Sequence, residues 1–518
     1  MMISTQNRHF GVRLKSLGSF WISGLSMIDV EKIRKDIEML ERETEEEYYL
    51  NWSGQKEELN TAAIMEKYSS LYGKEVVEHI SALKEISESE EERRLGYLHY
   101  VVTHHYILNS VKDLTDAKDT EEAKLEIKVD DEEMAYRMSA VAMVNEDDRA
   151  KRQAIHDARL GVIDGLNQIL EERTRKMQNL AKDLGYTNYA KLYGSLKGIS
   201  FTSLLNEMKE FARRTDKLYR EKMSELTESI GLKLEDAERH DIAYLLRAKQ
   251  FDPHFEKGGS LPTLKETLKG LGIDLDAQKN IIVDVEEREK KTPRAFCATL
   301  EVPDRIMLVT MPQGGYMDYS SLFHEAGHAE HYGNTSSEEP MEFKYLGDNS
   351  VTESFAFIFD YLLTDRNWVD EYIKMPDVER YIQHAYLEKL FFVRRYGAKL
   401  EYEMKLHTEG VAGMDQVYKS TLENALVFKH PEKHYLLDHD DGFYCAQYIR
   451  AWIFEAQLRE LLKEKFGEKW FLNTDSGTYL SNLWSVGQKY NVVELAQNEG
   501  FQGLDVEPLT EEILSNLE

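Results

Sequence analysis

His324, Glu325 and His328 form the pattern His-Glu-x-x-His within Leu322-Phe323-His324-Glu325-Ala326-Gly327-His328. On an α-helix the two imidazoles lie about 40° apart around the axis, so both can reach one ion. Glu325 flanks them within reach of a water on that ion, which is the arrangement zinc-assisted hydrolysis needs. With 16 histidines and 94 acidic residues in 518 positions, composition alone would give the pattern under about 0.1 times per chain. The bland alternative is a pair of partly exposed helix histidines.

A catalytic zinc takes three protein ligands and keeps a fourth position open. Glu353 is the candidate third ligand. It lies in Val351-Thr352-Glu353-Ser354-Phe355-Ala356-Phe357-Ile358-Phe359-Asp360, an otherwise apolar helical run where an ionised carboxylate is costly unless a cation answers it. His331, on the same face as His328, is the competing third ligand. Asp360 stands nearly two turns beyond Glu353 and could orient a ligating histidine, or simply end the helix in a salt bridge. A metzincin-type ligand would fall at position 334, which is Asn334. His99, His104 and His105 form another cluster, but their spacing suits one ion poorly and reads as packing or surface.

These side chains need a scaffold, and composition says which kind. The chain carries 65 Lys and Arg against 94 Asp and Glu, a net charge of −29, which argues against a general nucleic-acid binder. Hydrophobic content of 42% fills a large core, while only 9 prolines and 30 glycines among 31% charged residues favour long amphipathic helices. The expected fold class is mostly α. Two cysteines, Cys297 and Cys445, give no disulfide framework and point to a reducing compartment, with the cytoplasm as the expected location. No run of 18 apolar residues suggests a membrane span.

Residues 1–26 carry Arg8, Arg13 and Lys15 with no acid before Asp29, and read as a leader or an upstream start ahead of Met27. From Asp29 onward Val30, Ile33, Ile37 and Leu40 recur at helical spacing. Similar stretches continue over 59–90, 91–115, 117–180 and 200–250, and loop residues cluster at Gly258, Gly259, Ser260 and Pro262. The chain therefore divides into an N-terminal helical region, 27–260, and a catalytic region, 261–518. The second opens with short β-prone runs at Ile281 to Val283, Ala295 to Leu300 and Ile306 to Met311, and then returns to helix at Asp318 to Gly333. A small sheet feeding the histidine-bearing helix is expected, with the strand at Ile306 to Met311 able to receive a peptide as an added strand.

The residues carry a resemblance. His324-Glu325-x-Gly327-His328-x-x-His331, followed by Glu353, resembles the gluzincin metallopeptidases of the thimet oligopeptidase and oligoendopeptidase F group. Pro293-Arg294-Ala295-Phe296-Cys297 and Pro312-Gln313-Gly314-Gly315 are similar too. His439, Gly442, Tyr444, Ala446, Gln447 and Tyr448 stand at the spacings of that group's histidine and tyrosine loop. The resemblance spans about residues 291 to 452. Arg239-His240-Asp241-Ile242-Ala243-Tyr244 is similar, more weakly, to this clan and to angiotensin-converting enzyme. Phe443 replaces a second loop glycine, and Ala451 replaces a further tyrosine.

The resemblance implies two largely helical lobes around a deep channel that excludes folded proteins, one zinc per chain on His324, His328 and Glu353, and short unfolded peptides as substrates. Zinc brings the pKa of its water toward about 7, Glu325 is the general base, and Tyr444, Tyr448 and His439 are candidates to stabilise the oxyanion. Tyr444, which follows Gly442, is the expected donor, with Tyr448 as its support. Cleavage of internal bonds is the expected activity. The alternatives are a carboxypeptidase or peptidyl-dipeptidase, and a catalytically silent peptide-binding protein, for which an intact Glu325 would have no use.

Overall fold

The computed structural model describes residues 28–518, so the expected leader over residues 1–26 and the start near Met27 lie outside the described residues. Ile33, Ile37 and Leu40 are buried along one face of the first helix, Val30–Trp52. Asp29 caps that helix by accepting the Glu31 N–H at 3.0 Å. Helices also make up most of the chain beyond it.

One stretch expected as helix is otherwise. Within residues 117–180, strands β1 (Glu126–Val129) and β2 (Glu132–Ala135) form an antiparallel hairpin. In β1 the alternate residues Ile127 and Val129 are buried, a period of two, and Asp130 turns the chain with a left-handed φ of 54°. Charged residues at the intervening positions hide this alternation among the helical patterns around it.

The second sheet is where the site begins. It contains β3 (Ile281–Asp284), β4 (Phe296–Glu301) and β5 (Arg305–Val309), with β5 in the middle, parallel to β3 and antiparallel to β4. The strand expected to receive a peptide is thus β5, and both its edges are occupied; the free edge beside it belongs to β4. Phe296, Ala298, Leu300, Met307 and Val309 pack with Tyr49 of the first helix. Ile306 and Leu308 instead join the main core together with Leu322, Phe323 and Ala326 of the histidine helix, Tyr316–Asn334. That core includes residues from Ile107 to Leu517 and so crosses the loop at Gly258 to Pro262.

The histidine helix starts at a fixed point. Gly315 has φ 92°, and a Cβ there would lie 2.5 Å from Asp252 Oδ1, an atom that accepts the Tyr316 N–H at 3.1 Å. Asp318, in the first turn, accepts the Gly314 N–H at 2.6 Å. Across it lies the glutamate helix, Asn349–Asp360, buried from Ser350 through Phe359. A helix apolar on nearly every side belongs in the middle of a large core.

The two helices meet at Gly327, inside the His-Glu-x-x-His segment. A Cβ on Gly327 would fall 2.5 Å from Ala356 Cα and 2.5 Å from Phe355 O, both backbone atoms that no rotamer change can move. Gly327→Ala should therefore lower the unfolding free energy by about 1–3 kcal/mol despite alanine's better helix propensity. Denaturant melts of the two proteins measure this, with a gain in stability as the contrary result.

Candidate functional site

Because the two helices touch, three side chains converge. His324 Nε2 lies 3.4 Å and His328 Nε2 3.9 Å from Glu353 Oε2, and the three donor atoms lie within 4.8 Å of one another. A tetrahedral zinc with arms of about 2.0–2.1 Å would set neighbouring donors about 3.3 Å apart, close to this spacing. Glu353 Oε2 is buried without a hydrogen-bond partner, an arrangement that a cation would satisfy. The histidine side chains remain 18% and 14% exposed, so the centre is reachable by solvent.

The other ring nitrogens face outward to orienting groups. His328 Nδ1 shares a 2.7 Å hydrogen bond with Thr352 Oγ1, and His324 Nδ1 faces Asp360 Oδ2 at 3.8 Å. Ser320 Oγ donates to Asp360 Oδ1 at 2.8 Å and holds that carboxylate in place. Asp360 thus lies beside the His324 ring, at a distance too long for a direct hydrogen bond. His331 does not join the cluster: its buried ring stacks on Tyr332, with centroids 5.1 Å apart, and packs on Phe355.

Charge follows this geometry. Burial tends to raise the Glu353 carboxyl, but His324, His328 and the Tyr444 hydroxyl hold it below the usual carboxylate range. Burial pulls both histidines down; at His324 the carboxylates Glu353, Glu325 and Asp360 outweigh it and lift the ring to about 9, whereas His328 stays near 4. Without a metal, the set at neutral pH is an ionised carboxylate beside a protonated His324 and a neutral His328, and a divalent cation would take the place of the His324 proton.

Glu325 points to the sheet. Its Oε2 accepts the Cys297 N–H of β4 at 2.8 Å, leaving Oε1 free, and burial raises its carboxyl to about 7. Both backbone groups of a residue in an antiparallel strand point to the same side, so Cys297 also presents its carbonyl on the free edge of β4.

The tyrosine helix, Tyr444–Phe466, packs against the glutamate helix. Tyr444 donates its hydroxyl to Glu353 Oε1 at 2.8 Å. Tyr448 packs edge-on against Tyr444, with ring centroids 5.1 Å apart, and against Phe357 and Tyr396. Burial, then the charges of Glu353 and Glu325, keep the Tyr448 phenol protonated. Ala451 is fully buried, and its carbonyl accepts from Ser354 Oγ at 3.3 Å, so position 451 ties the tyrosine helix to the glutamate helix.

The loop before Tyr444 is firmly anchored. Arg173 grips Asp441 with two hydrogen bonds of 2.9 and 2.6 Å, and the Gly442 N–H donates to Tyr189 Oη at 3.1 Å. Gly442 has φ 66°, and Phe443 has a left-handed φ of 59°. Such a conformation costs a bulky residue about 1–2 kcal/mol. Stacking of the buried ring on Phe201, with centroids 4.3 Å apart, holds it there. His439 donates from Nδ1 to Leu436 O at 2.8 Å, and its ring lies beside His407 and Asp441 instead of meeting the three donors.

Sequence reasoning missed Thr352 and the Cys297 N–H. A threonine next to a candidate ligand is a weak signal, and a backbone donor gives none. A second group of donors, Glu403, Asp440 and Cys445, also clusters. It is satisfied from within: Lys399 pairs with Asp440 at 2.9 Å, and Cys445 Sγ donates to Glu403 Oε2 at 3.1 Å.

No protein-family model and no curated protein matches this chain by sequence. Solved structures do match. A protein assigned as an oligoendopeptidase F from Bacillus anthracis str. Ames is similar at TM-score 0.62 and 14% identity, over 96% of this chain and 97% of that one. A PZ peptidase A determined with an inhibitor is similar at 0.63 and 15% identity, over 95% and 97%. A protein assigned as a peptidase from Chlamydophila abortus is similar at 0.64 and 14% identity, over 94% and 88%. Over nearly its whole described length, the chain has the helical fold of these proteins.

Proposed function

We propose that this protein is a zinc-dependent peptidase that hydrolyses short, unfolded peptides. The observation that carries the reading is the convergence of His324 Nε2, His328 Nε2 and the unpartnered Glu353 Oε2 beside Glu325. A zinc ion there would supply a water of pKa about 7 and polarise the scissile carbonyl. Glu325 Oε1, the free oxygen, takes the water's proton and returns it to the leaving amine. The Cys297 N–H holds the other oxygen and fixes the direction of the carboxylate. The free edge of β4 receives the peptide backbone, a mode of recognition with little sequence preference.

The two tyrosines exchange the roles expected of them. Tyr444 spends its hydroxyl on Glu353 and so positions that ligand, while Tyr448, one turn further, is the phenol left to donate to the developing oxyanion. His439, held at Leu436 O, supports the loop. A silent peptide-binding protein would need neither Glu325 in this pose nor the orienting groups Thr352 and Asp360.

Glu325→Gln should retain one zinc per chain and lose turnover, whereas Glu353→Ala should lose metal and activity together; zinc analysis with mass-spectrometric mapping of cuts in a peptide mixture reads both. Thr352→Val, which deletes the hydroxyl that orients His328, should weaken zinc binding about 10- to 100-fold in chelator competition. Tyr448→Phe should lower kcat about 100- to 1,000-fold with KM little changed and zinc retained. If Tyr444→Phe shows that pattern and Tyr448→Phe does not, the order of the two tyrosines is the reverse.

A further inference from the structure

Lys197 is a cation beside the tyrosine helix with no carboxylate in direct contact; Asp348 and Glu403 act on it from beyond ion-pair distance. It closes the helix Tyr189–Lys197, and its ammonium donates to the neutral amide Gln447 Oε1 at 2.9 Å. Gln447 lies between Tyr444, which holds Glu353, and Tyr448. The other cations of this region are each answered by a carboxylate: Arg173 by Asp441 at 2.6 Å, Lys399 by Asp440 at 2.9 Å and Arg450 by Asp348 at 2.8 Å. Among the described residues no carboxylate stands within ion-pair distance of Lys197. Two tyrosine rings, Tyr100 and Tyr193, have centroids 5.5 and 5.9 Å from its ammonium.

A half-buried ammonium in such surroundings has lost hydration and retains unused N–H groups. Burial lowers its pKa to about 8, which still leaves it charged at neutral pH. The helix C-terminus favours a cation there by fractions of a kcal/mol and does not replace an anion. A tether between two helices would need only the hydrogen bond that Lys197 already donates to Gln447.

Building on the peptidase reading, we propose that Lys197 binds a carboxylate of the substrate peptide and so selects peptides carrying one near the cleaved bond. The chemistry fits a free C-terminus or an Asp or Glu side chain. A C-terminal carboxylate held at Lys197 would make this a peptidase that counts from the end of the peptide.

The test uses the zinc-loaded full-length protein and synthetic peptides of 5–20 residues, each prepared as the free acid and as the C-terminal amide. Half carry Asp or Glu within three residues after the cleaved bond. The wild type should favour carboxylate-bearing peptides about 10- to 100-fold in kcat/KM, the range of a charge-assisted hydrogen bond. That ratio, taken within each variant so that a general loss of activity cancels, should fall to about 1 in Lys197→Met and be largely kept in Lys197→Arg. Discrimination between acid and amide identifies the C-terminus as the source, and discrimination confined to Asp or Glu peptides identifies the side chain. A wild-type ratio near 1 in both arms, or a preference that survives in Lys197→Met, overturns the proposal. Failure of the wild type to cut any peptide would remove the peptidase reading itself, and this proposal with it.

Discussion

The site depends on how closely two helices approach. Gly327 has no side chain, and the backbone of Phe355 and Ala356 occupies the space a Cβ would take. This contact sets the distance from which Glu353 meets His324 and His328. A carboxylate buried this deeply costs several kcal/mol unless positive charge surrounds it. The glutamate helix, apolar at Val351, Phe355, Phe357, Ile358 and Phe359, is mostly core packing, and Glu353, Thr352 and Asp360 are the residues it turns toward the histidines. Position and charge compensation therefore come from the same contact, and the glycine between the histidines serves packing as much as it serves the motif.

Around that contact the structure is rigid where chemistry needs direction. Asp252 and Asp318 fix the start of the histidine helix, Asp348 caps the glutamate helix while pairing with Arg450, and Ser354 joins the glutamate helix to Ala451. The loop before Tyr444 is held by Arg173, Tyr189 and the stacked Phe443 ring. Phe443 shows a bulky residue holding a left-handed φ, its steric cost met by burial of the phenyl ring.

Much of this was legible in the amino-acid order because the signals are local. The His-Glu-x-x-His spacing, the lone acid in an apolar helix and the β-prone runs bounded by proline each depend on a few neighbouring residues. What was not legible depends on distant ones. The place of β5 in the middle of its sheet follows from pairing with β3 across more than twenty residues, so the edge strand was mistaken for its neighbour. The hairpin of β1 and β2 is too short to stand out among helices. Tyr444 and Tyr448 are equivalent by spacing, and the 2.8 Å bond that distinguishes Tyr444 goes to Glu353, 91 positions away. His439 matches a pattern in the sequence, yet its ring turns to Leu436 and His407.

The proposed chemistry depends on where a zinc ion binds. Crystals of the protein grown with zinc, measured on both sides of the zinc absorption edge, locate the ion without reference to activity. The expected result is one anomalous peak per chain, bonded to His324 Nε2, His328 Nε2 and Glu353 Oε2. A peak at Glu403, Asp440 and Cys445, or an ion bound through His331 in place of Glu353, would contradict it.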